Sequence, residues 1–180
     1  MNGGNLSNML FQTFYVSKEN SNCPLIADAL RIEKKLKERN YPNAVVSQRF
    51  GKRVLINSIN DGRGEDKDNF LEIVDYDPIK KVLLAMGPKE AKLETPLHWF
   101  IHHARNEIHA AVQINDVELS NRLKKTPKTE KEYSIVTIEQ IKEVLKHLRN
   151  SKKVVIKNQG VLFVGSDINE VEKLILEEIK

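Results

Sequence analysis

The sequence predicts a single α/β domain. Its 180 residues, 40% of them hydrophobic and 30% charged, can form one sizeable core and leave little room for a second. Short apolar runs bounded by turn residues predict strands, and longer segments with apolar residues at three- and four-residue steps predict helices. We therefore treat residues 1–180 as one domain, with helices over 1–42 and the sheet and its covering helices over 44–180.

Two helices are expected at the N-terminus. Large apolar residues at near-helical spacing predict a short helix over 5–18, with Asn5 or Ser7 as its N-cap. A second helix is predicted over 24–38, and the Tyr-Pro-Asn sequence after it marks its end.

The rest of the chain contains strands and helices in mixed order. Strands are predicted over 44–48, 53–56, 70–74, 81–86, 108–114, 154–157 and 161–164. Helices are predicted over 93–104, from about residue 115 to the break at Thr126-Pro127, over 137–148 and over 167–179. Residues 57–69 are rich in Asn, Asp and Gly, which indicates a loop.

The segment from Glu94 to Asp116, ETPLHWFIHHARNEIHAAVQIND, has a layout that builds active sites. An acidic residue begins a helix, the helix leads to a buried strand, and the strand ends in polar side chains. Gln113 and Asn115 are two residues apart, so both amides project from the same face of that strand. We place the candidate site at the junction of this helix and this strand.

This segment resembles the class II aldolase and adducin superfamily, in which a Glu-x-x-x-His helix leads to a strand that carries His-x-His. Near the C-terminus, VVIKNQGVLFVGSDINEVEKLI is similar to the family's strand, Asn-His-Gly turn, strand and closing helix. AVVSQRFGKRVLINS is similar to the family's Gly-Asn-x-Ser-x-Arg loop and its following strand, and FLEIVDYD resembles the strand before the acid-led helix. The resemblance covers roughly residues 25 to 180 in the right order. It implies a three-layer α/β/α fold with a central, mostly antiparallel sheet, and a homo-oligomer, perhaps a tetramer.

The resemblance places amides at the three positions where the family has metal-binding histidines. These positions are Gln113, Asn115 and Gln159. The family's divalent cation, usually zinc, polarises the substrate carbonyl, and an amide oxygen is a poor zinc ligand in comparison with imidazole. We therefore expect no tightly bound cofactor at these residues.

Glu94 has two interpretations. By position it matches the family's acid-base residue, which needs a raised pKa and a substrate held by metal. Without the metal, the simpler interpretation is that its carboxylate stabilises the N-terminus of its own helix.

The histidines supply an alternative metal site. His98 and His102 are four residues apart on one helical face, and Glu94 lies four residues before His98. This spacing can chelate zinc or another divalent cation, although a helical histidine stripe is more often packed or exposed than ligating.

The family's phosphate-binding loops are only partly present. The glycine and asparagine of the first loop fall on Ala44 and Val45, whereas Ser47 and Arg49 remain, and the second loop begins with Asn57 and Ser58. Neither loop contains glycine, which lets backbone N–H groups approach a phosphate closely. We retain Ser47, Arg49, Asn57 and Ser58 as candidate substrate-binding residues and expect no sugar phosphate bound in the family manner.

Composition excludes several classes of function. No apolar run has the eighteen or so residues of a membrane helix, and the first residues lack a signal core, so we expect a cytoplasmic protein without membrane contact. The net charge of +4 arises from lysines interleaved with acids, which disfavours a nucleic-acid partner; the locally basic stretch is 121–131. The single Cys23 cannot form an internal disulfide.

Two functions remain. The first is an aldolase-like protein without zinc-dependent lyase activity, which acts in binding, structure or regulation, as adducin-type domains do by analogy. The second is an aldolase-like lyase or epimerase that acts on a small carbonyl or sugar compound with an altered or absent metal site.

Overall fold

A computed structural model describes residues 11–179 of the chain. The strands are β1 Gln12–Ser17, β2 Val45–Phe50, β3 Arg53–Asn57, β4 Phe70–Asp77, β5 Val82–Met86, β6 Ala110–Ile114, β7 Lys153–Ile156 and β8 Gly160–Gly165. The helices are α1 Ile26–Glu38, α2 Thr95–Ala104, α3 Val117–Arg122, α4 Ile138–His147 and α5 Ile168–Glu178. A 3-10 turn, Asp66–Asp68, interrupts the predicted loop. Across residues 11–179, no helix combines the length and the apolar character that a membrane crossing requires.

The helix expected over residues 5–18 is wrong over its second half. Gln12–Ser17 is a strand whose side chains alternate between exposed and half-buried. Phe14, Tyr15 and Val16 favour extended backbone, and parallel pairing with β5 supplies the hydrogen bonds that a helix would have made internally. The first half of the predicted helix lies outside the described residues.

The eight strands of the described chain form one sheet in the order β1-β5-β4-β3-β2-β6-β8-β7. β1 runs parallel to β5, and every other neighbouring pair of the described strands is antiparallel. Apolar residues of α1, α3 and α5 pack on one face of the sheet, and those of α2 and α4 pack on the other. The mostly antiparallel three-layer α/β/α architecture predicted above is therefore confirmed.

Strand alternation decides which side chains meet which helices. In β2, Val46 packs in the core below α1, while Val45 belongs to the core that includes Trp99 of α2. Ser47 therefore projects toward α2 as well, because it is two residues from Val45.

The antiparallel registers bring several chain segments to one end of the sheet. β3 and β6 finish there, and β2, β4 and β8 begin there. The N-terminus of α2 lies at the same end, as the contact between Glu94 and Asn115 shows. We call this region the polar end of the sheet.

Candidate functional site

Two amides and one acid form a hydrogen-bonded chain at the polar end. The Nε2 of Gln113 donates to Oδ1 of Asn115 at 2.8 Å, and the Nδ2 of Asn115 donates to Oε1 of Glu94 at 2.7 Å. Gln113 is buried and Asn115 is exposed, so the chain runs from the interior to the surface. The side chain of Glu94 makes no capping hydrogen bond to its own helix, and its carboxylate interacts with the amide instead.

Gln159 has different partners. Its Oε1 accepts from Nε2 of Gln140 in α4 at 3.2 Å, and its Nε2 donates to the carbonyl of Tyr133. The structure therefore joins Gln113, Asn115 and Glu94 but does not link Gln159 to them by hydrogen bonds between described residues.

Gly160 lets the turn between β7 and β8 pack tightly against β6. A Cβ atom at this position would lie 2.0 Å from the carbonyl oxygen of Ile114 and 2.8 Å from Cα of Asn115. Both neighbours are backbone atoms, which cannot rotate away as a side chain can. The missing side chain thus fixes the distance between this turn and the end of β6.

Ser47 bridges two buried histidines of α2. Its Oγ lies 2.6 Å from Nδ1 of His98 and 2.8 Å from Nε2 of His102, and Nδ1 of His102 donates to the carbonyl of Ile108 at 3.1 Å. His98 and His102 are both fully buried. Four-residue spacing on α2 points both rings at the same strand residue.

The hydrogen bonds around Ser47 determine which nitrogen of each histidine carries its proton. The Ile108 carbonyl requires a proton on Nδ1 of His102, so Nε2 of His102 accepts from the Ser47 hydroxyl. Ser47 then accepts from Nδ1 of His98, and Nε2 of His98 keeps a lone pair. Nε2 of His98 and Oε1 of Gln113 are both without a partner among residues 11–179, as expected for two acceptors.

Burial keeps both imidazoles neutral. It lowers the pKa of His98 to about 3, with a smaller contribution in the same direction from His102, while the nearby Gln113 amide acts in the opposite direction. Burial also lowers the pKa of His102 to about 4, opposed by the hydrogen bond to the Ile108 carbonyl. Neither ring is positively charged at neutral pH.

These pKa values predict acid sensitivity of the fold. Above the unfolded pKa of about 6.5 the two histidines are neutral in both states and impose no penalty. As pH falls below that value the unfolded chain binds protons that the folded chain refuses, so the free energy of unfolding decreases until the pH approaches about 4 and then about 3. We expect the free energy of unfolding to fall by at most about 2.7 kcal/mol per pH unit because of these two histidines, as measured by urea unfolding at successive pH values.

A surface histidine provides the control for that measurement. His109 is exposed, so replacing it with glutamine should leave the slope unchanged. A flat stability profile between pH 6 and pH 4.5 in the unsubstituted protein would contradict neutral burial of His98 and His102.

A second polar cluster surrounds Lys92, which precedes α2. Its Nζ donates to the carbonyl of Ala44 at 3.1 Å, and Asn57 donates to that carbonyl at 2.9 Å and to Glu33 of α1. Burial lowers the pKa of Lys92, opposed by Glu33 and Glu94, and burial raises the pKa of Glu33, opposed by Asn57 and Lys92. Sequence reasoning named Asn57 but missed Lys92 and Glu33, which are far apart in the chain and match no motif.

Comparisons with known proteins show where this architecture occurs. No protein-family model matches the chain, and no curated protein sequence matches it significantly. Among solved structures, an L-fuculose 1-phosphate aldolase aligns with a TM-score of 0.67 at 14% identity, over 88% of this chain and 84% of that one. The chain has the class II aldolase fold.

Two further solved structures with this fold agree. L-fuculose-1-phosphate aldolase from Thermus thermophilus aligns with a TM-score of 0.65 at 18% identity, over 86% of this chain and 89% of that one. An aldolase II superfamily protein from Pseudomonas syringae aligns with a TM-score of 0.60 at 18% identity, over 86% of this chain and 69% of that one. The class II aldolase resemblance read from the sequence is confirmed at the level of the fold.

The residues that the sequence resemblance assigned to the metal positions are poorly suited to zinc. The amide of Gln113 donates to Asn115, the amide of Asn115 donates to Glu94, and the amide of Gln159 is bonded elsewhere. Amide oxygens are also weak ligands for zinc. Residues 11–179 contain no group of three or more His, Cys, Asp or Glu side chains placed to hold a metal ion.

The alternative metal residues are arranged around Ser47. The nitrogens of His98 and His102 that face β2 both contact the serine hydroxyl, and Glu94 is bonded to Asn115. His98 and His102 therefore share the Ser47 hydroxyl, whereas Glu94 has a different hydrogen-bond partner.

Of the four candidate substrate-binding residues, Asn57 and Ser58 lie at the polar end of the sheet, whereas Ser47 and Arg49 do not join them there. Ser47 lies in the interior, and Asn57 supports the backbone by accepting from Val46 N and donating to Ala44 O. Ser58 is buried, and its Oγ has no partner in the described part of the chain. Arg49 lies beyond Ser47 toward the opposite end of β2, where it donates to the carbonyls of Gly51 and Asn106.

Unused hydrogen-bonding groups gather at the polar end. Across residues 11–179, six buried side-chain atoms have no partner: Ser58 Oγ, Asn69 Oδ1, Thr95 Oγ1, His98 Nε2, Gln113 Oε1 and Gln140 Oε1. Each belongs to a segment that meets this end of the sheet, at a strand terminus or in the first turns of α2 and α4. The polar end thus has hydrogen-bonding capacity that the described chain does not use internally.

Proposed function

We propose that this chain is an aldolase-fold binding protein without zinc-dependent lyase activity. In this proposal it takes a small carbonyl or sugar compound at the polar end by hydrogen bonding. The observation that carries the proposal is the chain of hydrogen bonds from Gln113 through Asn115 to Glu94.

The absence of lyase activity in this proposal rests on the amide ligands and on the hydrogen bond that Glu94 already accepts. A zinc-dependent lyase needs a Lewis acid at the substrate carbonyl and a carboxylate free to move a proton. Here the amides are poor ligands, and the Oε1 of Glu94 already accepts from Nδ2 of Asn115.

Binding is supported by the chemistry of the unused groups. Amide and hydroxyl groups can both donate to and accept from the hydroxyls of a neutral ligand, and a few such groups are what orient ligands in binding sites. The exposed amide of Asn115 and the half-buried carboxylate of Glu94 are the groups of this site at the surface, and Gln113 Oε1 behind them is a buried acceptor without a partner among residues 11–179.

A neutral ligand suits this site better than a sugar phosphate. The solved structures named above include L-fuculose 1-phosphate aldolases, and the substrate in that name carries a phosphate. In this chain Arg49 lies away from the polar end, and Ala44 stands in place of a loop glycine. We therefore propose an uncharged sugar or carbonyl compound.

A direct test combines zinc analysis with ligand-dependent stability. After dialysis against zinc, the protein should retain well under one zinc per chain and should not cleave L-fuculose 1-phosphate. A panel of neutral sugars and sugar alcohols should contain members that raise the melting temperature. A ligand present at a hundred times its Kd stabilises by about 2.7 kcal/mol, which corresponds to roughly 5 to 10 °C for a chain of this size.

The matched variants are two exposed asparagines at opposite ends of the sheet. Asn115→Ala should abolish the rise in melting temperature that the ligand causes, and Asn106→Ala should preserve it. Only Asn115 belongs to the hydrogen-bonded series Gln113–Asn115–Glu94. One zinc per chain lost on replacing Gln113 and Asn115, or measurable retro-aldol cleavage, would overturn the proposal.

The second candidate function is a metal-free lyase or epimerase. The specific observation in its favour is Lys92, an amine with a lowered pKa that interacts with the carboxylates of Glu33 and Glu94. Release of a cleaved or epimerised product from a bound carbonyl compound would distinguish this enzyme from a binding protein.

A further inference from the structure

Lys92 presents an amine at the polar end of the sheet. It lies in the segment between β5 and α2, half-buried, with its Nζ 3.1 Å from the carbonyl oxygen of Ala44 at the start of β2. The same segment continues into Glu94, which accepts a hydrogen bond from Asn115, so Lys92 lies two residues from the hydrogen-bonded series Gln113–Asn115–Glu94.

The Lys92 amine forms no ion pair with another described residue. Among the ion pairs of the described residues none includes Lys92, whereas the nearby Lys89 pairs with Asp61. Glu33 and Glu94 influence Lys92 electrostatically, but each carboxylate accepts a hydrogen bond from an asparagine. Ala44 O is the one hydrogen-bond acceptor that Lys92 contacts among residues 11–179, so the remaining positions on its nitrogen are free.

We propose that Lys92 is a carbonyl-reactive amine that forms a reversible imine with an aldehyde or ketone bound at the polar end. This inference deepens the proposed function and rests on it for the location of the ligand. It also differs from metal chemistry, since a protonated imine withdraws electrons from the carbonyl carbon without a cation.

The step balances without an oxidant or reductant. The lone pair of the neutral amine attacks the carbonyl carbon, a C–N bond forms, and the carbonyl oxygen takes a proton to give a carbinolamine. The nitrogen then loses a proton, the hydroxyl leaves as water after protonation, and the C=N bond forms. The products are one protonated imine and one water from one neutral amine, one carbonyl and one proton.

The environment of Lys92 favours both the attack of the amine and the departure of the hydroxyl. Burial lowers the pKa of Lys92, which increases the fraction of neutral, nucleophilic amine. Burial raises the pKa of Glu33, which favours the protonated acid that can donate to the departing hydroxyl. The proton released by nitrogen passes to solvent water, since the Oε1 of Glu94 already accepts from Asn115.

Reductive trapping with glycolaldehyde tests the proposal. The intact protein is treated with glycolaldehyde and sodium cyanoborohydride at pH 7, and modification at each lysine is followed by peptide mass spectrometry. Lys92 should be modified on the order of tenfold faster than Lys89, which is also partly covered but bound to Asp61. Lys92→Arg should remove that fast modification, and Lys89→Arg should leave it intact.

A neutral polyol distinguishes failure of the imine proposal from failure of the proposed binding function. Ribitol has hydroxyls but no carbonyl, so a melting-temperature rise with ribitol reports on the hydrogen-bonding site alone. If ribitol stabilises the protein and Lys92 is trapped no faster than Lys89, the imine is overturned and the proposed binding role stands. If Lys92 is trapped fast without stabilisation by any polyol, the reactive amine is supported and the amide-based binding role fails.

Glu33→Gln gives a second readout on the same proposal. This nearly isosteric change keeps a hydrogen-bond acceptor for Asn57 and removes the acid, so it should slow trapping at Lys92 severalfold without changing the rate at Lys89. An equal rate at Lys92 in this variant, together with no preference over Lys89 in the unsubstituted protein, would reject the reactive amine.

Discussion

Replacing Gly160 with alanine is expected to lower the free energy of unfolding by about 3 kcal/mol or more. The added Cβ would lie 2.0 Å from the Ile114 carbonyl oxygen, far inside van der Waals contact, and 2.8 Å from Cα of Asn115. Relief requires movement of either the β7–β8 turn or the end of β6. Equilibrium urea unfolding followed by circular dichroism measures the effect.

Gly51 is the matched control for this substitution. It adopts a φ of +61° in the turn between β2 and β3, and a Cβ there would meet no atom within 4 Å. Gly51→Ala should therefore cost only the left-handed backbone penalty of about 1 to 2 kcal/mol. Equal losses for the two variants would show that the turn moves freely and that Gly160 does not set the position of Asn115.

Ser47→Ala is expected to cost about 3 kcal/mol of unfolding free energy, although it removes one oxygen atom. The hydroxyl serves Nδ1 of His98 and Nε2 of His102, and its removal leaves two buried imidazole nitrogens without a partner. A buried polar group deprived of its partner costs about 1 to 3 kcal/mol. Urea unfolding at pH 7.5 measures the loss while both rings are neutral.

Ser58→Ala distinguishes lost hydrogen bonds from lost packing. Ser58 is as buried as Ser47, with 3% and 1% of their surfaces exposed, but the Oγ of Ser58 makes no hydrogen bond in the described chain. The change at Ser58 should therefore be neutral within about 0.5 kcal/mol, or slightly stabilising. Similar losses at both positions would argue against the serine bridge.

Local patterns were sufficient to predict the central part of this fold. The apolar steps from Leu97 to Ile101 indicated α2, and the two-residue spacing of Gln113 and Asn115 indicated that their side chains lie close together, as their hydrogen bond at the end of β6 shows. Both patterns depend on periodicity, which a single sequence displays directly.

β1 could not be predicted in the same way. Its residues have no strong period, and the strand forms because β5, which lies far along the chain, supplies the hydrogen bonds. Non-local pairing of this kind leaves little trace in the local sequence.

The sequence identified several residues of the candidate site but not the contacts that they make with one another. Ser47 was chosen as a candidate substrate-binding residue, and the structure shows it bridging His98 and His102, which were considered separately as metal ligands. Lys92 and Glu33 were missed because only the registers of β2 and β3 bring them together. Contacts between residues that are far apart in the sequence require the fold.

The hydrogen bonds from Gln113 to Asn115 and from Asn115 to Glu94 make a zinc site difficult to build here by a single substitution. A histidine at Gln113 alone would replace the amide that donates to Asn115. A histidine at Asn115 alone would remove the hydrogen-bond partner of both Gln113 and Glu94. Each first step would therefore disturb existing hydrogen bonds before a complete set of ligands could hold an ion.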